Sequence, residues 1–263
     1  MGGTAGAFAA GLALGAAAGA AGAAWAARRR RKELGRFVSF AAHEINTPIT
    51  AVNMTVLNLL SGVFGPLDPE KLPWVTLMRE QMVRLNAIIG ELRDLIHMEL
   101  DKELLLRSEP AETADMLDAA AKSVVQGLQQ AGAALEVDAA GAPPLVLGDP
   151  DRLQRTLTSL LFHAKKFRST GPVRLSARRE GGAAVFEVSF EGPALPPDEA
   201  RRSLDAFYPA RALKQTMTAT GTGLGVLRLI LRRQGGDLDL RVEGKRNRLL
   251  MTVPLAPAPA AGK

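Results

Sequence analysis

The sequence predicts an α+β protein in three successive parts: an N-terminal transmembrane helix, an antiparallel helical hairpin that forms a dimeric four-helix bundle with a second copy, and an α/β sandwich. Three observations predict it. Residues 2–27 carry no charge and precede five consecutive basic residues. Apolar residues between 34 and 96 recur every three or four positions, and beyond about 112 short alternating strands are interleaved with helical stretches. The parts are expected over residues 1–27, 28–107 and 108–255, with an alanine- and proline-rich, disordered tail at 256–263.

Ala5 to Ala27 would make a helix roughly 35 Å long at about 1.5 Å per residue, enough to cross a bilayer. Gly11, Gly15 and Gly19 share one helix face and admit close approach of a second helix. The run Arg28-Arg29-Arg30-Arg31-Lys32 follows the apolar stretch instead of preceding it, which fits a cytoplasmic flank and not a cleaved signal peptide. The expected protein is therefore single-pass in the cytoplasmic membrane, with its bulk in the cytoplasm. The same alanine- and glycine-rich composition also fits a low-complexity spacer. Taking the five basic residues from the net charge of +6 leaves +1, so the excess is local and nucleic acid is not expected as a partner. Cysteine is absent, which excludes disulfides, zinc–thiolate sites and thiol nucleophiles.

Leu34, Phe37, Ala41, Ile45, Ile49 and Val52 give the first hairpin helix one apolar face as far as about Ser61. Gly62, Gly65 and Pro66 break it. Asp68 and Pro69 are read as N-cap and first-turn residue of a second helix, which carries Val75, Met78, Met82, Leu85, Ile89, Leu92 and Ile96. Two long helices with such narrow stripes bury little alone, hence the expectation of a homodimer.

The first helix contains Phe40-Ala41-Ala42-His43-Glu44-Ile45-Asn46-Thr47-Pro48-Ile49-Thr50. A neutral imidazole is a competent phosphoryl acceptor near pH 7, and an adjacent carboxylate can orient it or take its proton. Thr47, at i+4 from His43, shares its face and could position a water, while Pro48 removes a backbone donor beside it. His97 has no such neighbours and is read as a solvated helix residue. The His43 string resembles the H-box of the two-component sensor histidine kinase family. The resemblance implies that His43, assisted by Glu44 and Thr47, takes a phosphoryl group from ATP and passes it to an aspartate of a response-regulator receiver domain.

Beyond a linker expected at Ser108 to Pro110, the pattern predicts helices at 112–130, 151–167 and 224–233. Strands are expected at 135–137, 145–147, 173–178, 184–190, 238–242 and 248–253. This domain resembles the ATP-binding domain of the same family, so that the likeness extends over about residues 33 to 255. Gly221-Thr222-Gly223-Leu224-Gly225 resembles the family's second glycine box, where glycines opening a helix bring backbone N–H groups to phosphate oxygens. Asp149 to Phe167 resembles the N-box, with Lys166 and Phe167 fitting its close. Val188 to Pro196, including Gly192, resembles the first glycine box. The resemblance implies ATP and Mg2+ as cofactors, with Lys166, Gly192 and Gly221 to Gly225 at the nucleotide.

Four positions depart from the family pattern. His163 stands where an asparagine helps to hold magnesium, Ser159 replaces a second asparagine, Phe190 stands where an aspartate recognises the adenine amino group, and Ala194 replaces a glycine. Imidazole is a poor exchange for a hard oxygen ligand, and a phenyl ring leaves the ligand's donor unpaired at about 1 to 3 kcal/mol. By strand alternation Phe190 shares a face with Phe186 and Val188, whereas Glu191 points away. Three readings remain: a membrane-anchored histidine protein kinase with altered nucleotide contacts; an ATP-independent response-regulator phosphatase or phosphotransferase, a pseudokinase; and a non-catalytic dimeric scaffold.

Overall fold

A computed structural model describes residues 22, 25–26, 29–30, 33, 35, 40–42, 44–99, 106–205 and 223–257. The expected membrane segment lies almost wholly outside them. Among the described residues no helix is long and apolar enough to cross a membrane.

Residues 44–60 continue the first hairpin helix, α1, which ends where Ser61 donates to the Leu57 carbonyl at 2.8 Å. Gly62 and Gly65 follow with φ of 78° and 95°, a backbone region that side-chain-bearing residues rarely adopt. The second helix, α2, spans Leu72–Glu99 and so starts later than expected. Asp68 caps a preceding turn instead, its carboxylate accepting from the Glu70 N–H at 3.0 Å. On α1 the buried apolar residues are Ala42, Ile49 and Val56, while Ile45, Val52, Met54 and Leu57 are exposed. Among the described side chains of the expected stripe on α2, only Val75 is buried, and Met78 is 54% exposed. A single chain thus leaves much of the hairpin's apolar surface uncovered.

The second domain is a five-stranded sheet with helices on one face, accompanied by a separate two-stranded sheet. Its strands run in the order β2-β4-β5-β7-β6: β2 Leu135–Gly141, β4 Thr170–Glu180, β5 Ala183–Glu191, β7 Arg246–Pro254 and β6 Asp237–Glu243. Only β2 and β4 pair in parallel, and the other neighbours are antiparallel. The stretch expected as a linker is instead a strand, β1 Glu109–Glu112, whose backbone pairs antiparallel with β3 Leu145–Gly148. Its four exposed-to-buried residues, Glu-Pro-Ala-Glu, carry no apolar alternation, which hid it.

Helices α3 Thr113–Gln130, α4 Pro150–Phe167 and α6 Gly223–Arg232 cover the sheet, and a short unforeseen helix, α5 Pro197–Arg202, follows β5. Asp149 caps α4, accepting from the Arg152 N–H at 3.2 Å; Pro150 occupies the first turn, and Lys165 and Lys166 the last. The core joins Leu153, Leu157, Leu160 and Leu161 of α4 to Leu175, Phe186, Leu249 and Met251 of the sheet. Each such side chain contributes about 1.5 to 3 kcal/mol by leaving water. Among the described side chains of the hairpin, only Val83 packs against this core.

Candidate functional site

Glu44 and Thr47, three residues apart on α1, lie on one helix face and are exposed, as are Ile45, Asn46 and Pro48. His43 itself lies outside the described residues. The Thr50 hydroxyl donates to the Asn46 carbonyl at 2.8 Å, so the helix continues through the motif despite Pro48. The side chain of His97 also lies outside the description.

In the second domain the end of α4 and the end of β5 converge. A narrow cleft of about 20 Å³, room for about one water, opens between them, lined by His163, Phe167, Phe190, Pro193, Leu195, Leu240 and Asn247. The rings of His163 and Phe167 are 4.5 Å apart and tilted by 49°, and those of His163 and Phe190 meet edge-on at 6.2 Å. Phe190 belongs to the core with Phe186 and Val188, as strand alternation predicts, yet its ring also forms a wall of the cleft. Glu191 is exposed on the other face and accepts from the Thr170 hydroxyl at 2.9 Å.

Burial, reinforced by the charge of Lys166, pushes the His163 imidazole down to about 3, so it is neutral at physiological pH. The exposed Lys166 ammonium rests 5.2 Å from the Phe167 ring centroid. Its pKa is lowered by partial burial and by the charge of Arg84 on α2. Gly192 is required sterically: a Cβ there would lie 2.7 Å from the Phe167 carbonyl oxygen and 2.9 Å from the Phe190 ring. Its N–H donates to the Lys245 carbonyl at 2.8 Å, fixing the turn after β5.

Of the glycine box before α6, Gly221 and Thr222 lie outside the described residues. Gly223 has φ of 78°, Leu224 is buried, and Gly225 is buried within the first turn of the helix. Ala194 is exposed and does not line the cleft. Ser159 is fully buried but faces α2, where its hydroxyl lies 2.5 Å from the Glu91 carboxylate. Among the described residues no group of three or more His, Asp or Glu side chains is placed to hold a metal ion.

Sequence reasoning missed Asn247 and Leu240. Asn247 is 3% exposed and sits directly across from Phe190 in the β5–β7 register. Its amide donates to the carbonyls of Pro193 and Lys245 at 3.3 and 3.2 Å, bracing the rim. The available signal was a lone amide at the start of an apolar closing strand. Also missed were three carboxylates on α2, Glu80, Glu91 and Asp94, all turned toward the second domain.

A long helical hairpin bearing a histidine motif, joined to a helix-covered sheet with a glycine-opened helix, is the architecture of a phospho-acceptor hairpin coupled to an ATPase-type layer. Two family models match in the same order. The His Kinase A (phospho-acceptor) domain matches residues 33–100. The histidine kinase-, DNA gyrase B- and HSP90-like ATPase matches residues 148–257. The chain belongs to the two-component sensor histidine kinase family.

Among curated relatives, 28% identity extends over 217 residues to the signal transduction histidine-protein kinase/phosphatase MprB of Mycolicibacterium smegmatis, covering 80% of this chain and 42% of that one. The circadian input-output histidine kinase CikA of Synechococcus elongatus is 27% identical over 78% of this chain and 28% of its own length. The aerobic respiration control sensor protein ArcB of Escherichia coli is 28% identical over 87% of this chain and 29% of its own. The chain thus spans less than half the length of these relatives. Among solved structures, full-length ShkA in complex with AMPPNP superposes with a TM-score of 0.57 at 24% identity, covering 86% of this chain and 47% of that one. The Acinetobacter baumannii histidine kinase AdeS gives 0.53 at 22% identity, covering 82% and 98%. Both likenesses concern the fold.

Proposed function

We propose that the chain is a phosphorelay protein: His43 accepts a phosphoryl group from a nucleotide held in the ATPase-type layer and hands it to an aspartate on a response-regulator receiver domain. The observation that carries this reading is the glycine turn at Gly223, with φ of 78°, which opens α6 inside the stretch that the ATPase family model matches. That turn and Lys166 supply backbone N–H groups and a cation for phosphates. The cleft beside Phe190 and His163 is apolar but holds only about 20 Å³, room for about one water, so a planar base enters only if its aromatic walls part.

Magnesium fits less well. Neutral His163 offers a nitrogen where the metal prefers oxygen, so no step is assigned to metal at that position. On the hairpin, the roles read from the motif give Glu44 the orienting of His43 and Thr47 the positioning of a water against an acyl phosphate, and the exposure of Glu44 and Thr47 supports access by a receiver domain. The uncovered apolar surface of the hairpin supports a homodimer. The charge-free segment at 2–27 followed by Arg28 to Lys32 supports a single-pass anchor with the bulk of the chain in the cytoplasm.

The absence of any carboxylate from the cleft lining favours a second reading, in which the chain removes phosphate from a receiver without ATP. MprB carries both activities in its name. One assay set on the full chain in lipid separates the two: nucleotide binding, ATP-dependent labelling, and dephosphorylation of a phosphorylated receiver, each repeated with His43→Ala and Thr47→Ala. Labelling that disappears in His43→Ala supports the relay. Absent binding with Thr47-dependent dephosphorylation supports the second reading, and silence in every arm leaves a scaffold.

A further inference from the structure

Positive charge in this chain is concentrated in one place. Between residues 28 and 36 six basic residues face a single acid, Glu33, directly after the uncharged stretch 2–27. Successive residues of a helix stand about 100° apart, so four consecutive arginines, Arg28 to Arg31, would project to all sides of the axis. Arg28, Arg31 and Lys32 lie outside the described residues, but Trp25, Ala26, Arg29, Arg30, Glu33 and Gly35 are described and all are helical. Arg29 and Arg30 are both exposed, on adjoining sides of that helix. The Arg29 guanidinium lies over the Trp25 ring, 5.6 Å from its centroid, and its Nε donates to the Glu33 carboxylate at 3.0 Å. Glu33 thus offsets Arg29, and the sequence supplies no second acid before Glu44.

The shape of this charge narrows its partner. A basic stripe on one helix face fits an acidic protein or a nucleic acid, each of which approaches from one side. A collar fits neither, because half of its charge would face away from them. It fits a planar ring of phosphates around the helix, and a bilayer supplies one. The rise from Arg28 to Arg31 is about 4.5 Å, within a headgroup layer about 5 to 8 Å deep on each side of the hydrocarbon core. Trp25, 64% exposed, stands one turn nearer the uncharged stretch, and an indole settles where headgroups meet acyl chains. Guanidinium forks bind phosphate oxygens in pairs, and the charge left unneutralised attracts headgroups that are negative overall. We propose that Trp25 and Arg28 to Lys32 form a collar for anionic phospholipid headgroups, which gathers such lipids around the point where the chain leaves the bilayer. The collar rests on the reading of residues 2–27 as a membrane anchor.

Trp25 and Trp74 are the only tryptophans of the chain, and Trp74 is exposed on α2. Trp74→Phe therefore leaves Trp25 as a fluorescent reporter within about 10 Å of the collar. The full chain is placed in nanodiscs of phosphatidylcholine with a minor fraction of phosphatidylglycerol. In one set the phosphatidylglycerol carries bromine near the headgroup end of its acyl chains; in a second set an equal amount of phosphatidylcholine carries it. The collar predicts that phosphatidylglycerol quenches Trp25 about fivefold more per brominated lipid, the effect of one basic residue beside an anionic surface. This preference should fall at high salt, vanish in Arg28→Gln/Arg30→Gln/Arg31→Gln, and persist in Arg28→Lys/Arg30→Lys/Arg31→Lys. Arg28→Gln and Arg30→Gln, on opposite sides of a helix, should each lower it by a similar factor. Equal quenching by the two lipids in the parent overturns the collar and leaves the anchor standing. Loss confined to one of the two single variants overturns it in favour of a one-sided stripe, the mark of an acidic macromolecule as partner. No quenching in either set puts Trp25 outside the membrane and overturns anchor and collar together.

Discussion

The first half of the α4 face is crowded with charge: Arg152 and Arg155 meet Asp94 and Asp149, and Ser159 meets Glu91. The second half, one turn further, presents His163 and Phe167 to Phe190 across a cleft lined by no charged side chain. The same helix therefore carries a region in which every buried polar group has a partner and a region in which an imidazole is kept neutral among rings. The first fixes position, since several buried ions restrain one another's geometry. The second packs rings edge to face and leaves only a narrow apolar cleft between them.

The largest expected effect comes from breaking the charged half at its hub. Asp149 is 2% exposed and accepts from the N–H groups of Arg107 and Arg152 and from the Arg152 guanidinium. Burial raises its pKa, but these donors and the charge of Arg152 outweigh it and hold the carboxyl below its ordinary value. Asp149→Ala removes the cap of α4 and the charge-assisted hydrogen bonds from Arg152 and Arg107, leaving Arg152 paired with Asp94, at about 3–4 kcal/mol in urea unfolding of the layer. In the aromatic half, Phe190→Ala should cost about 3 kcal/mol, the low end for a core phenylalanine, because the ring already borders open space. A loss below that of an exposed residue would mean that Phe190 contributes no core packing.

A pH titration separates the halves further. The unfolded chain binds a proton at His163 below about pH 6.5, whereas the folded imidazole refuses it until about 3. Stability from this group is thus complete above the unfolded value and is lost as the pH falls through that window. Between pH 7 and pH 5 the loss is at most about 2 kcal/mol, from 1.36 kcal/mol per unit. Asp149, with its lowered pKa, begins to lose its contribution only below the ordinary carboxylate value of 3.8, outside the pH 5–7 interval. His163→Asn should flatten the pH 5–7 dependence relative to the parent while His43 and His97 are unchanged. An equal slope in both proteins would place the titration elsewhere.

How much of this was legible in the sequence follows the same division. Periodicity located α1, α3, α4, α6 and most strands to within a few residues, because each buries one regular apolar face. Strand alternation also assigned Phe190 to the core face and Glu191 to the other. It missed β1, whose Glu-Pro-Ala-Glu pairing depends on β3 and on no pattern of its own. It placed the start of α2 too early, because Asp68 caps a turn before the helix. On α2 it followed the apolar stripe, while the buried side toward the layer is Glu80, Glu91 and Asp94, residues that read as solvated until a partner helix is present. Asn247 was hidden likewise, since only the β5–β7 register brings it opposite Phe190.

The smallest effect is the most discriminating, because it compares two aspartates two positions apart at the start of α4. Asp151 pairs with Arg107, but their side chains are 66% and 57% exposed, against 3% for Asp149. An exposed pair of this kind contributes about 0–1 kcal/mol, to which a first-turn carboxylate adds a few tenths through the helix dipole. Asp151→Ala should therefore cost about 1 kcal/mol or less and lose most of that cost at high salt, where surface charges are screened. Asp149→Ala should keep most of its cost in the same salt, because its partners are enclosed with it. Equal salt sensitivity in the two variants would show that water reaches Asp149, and the charged half of α4 would then be a solvated surface that restrains the helix no more than any exposed ion pair.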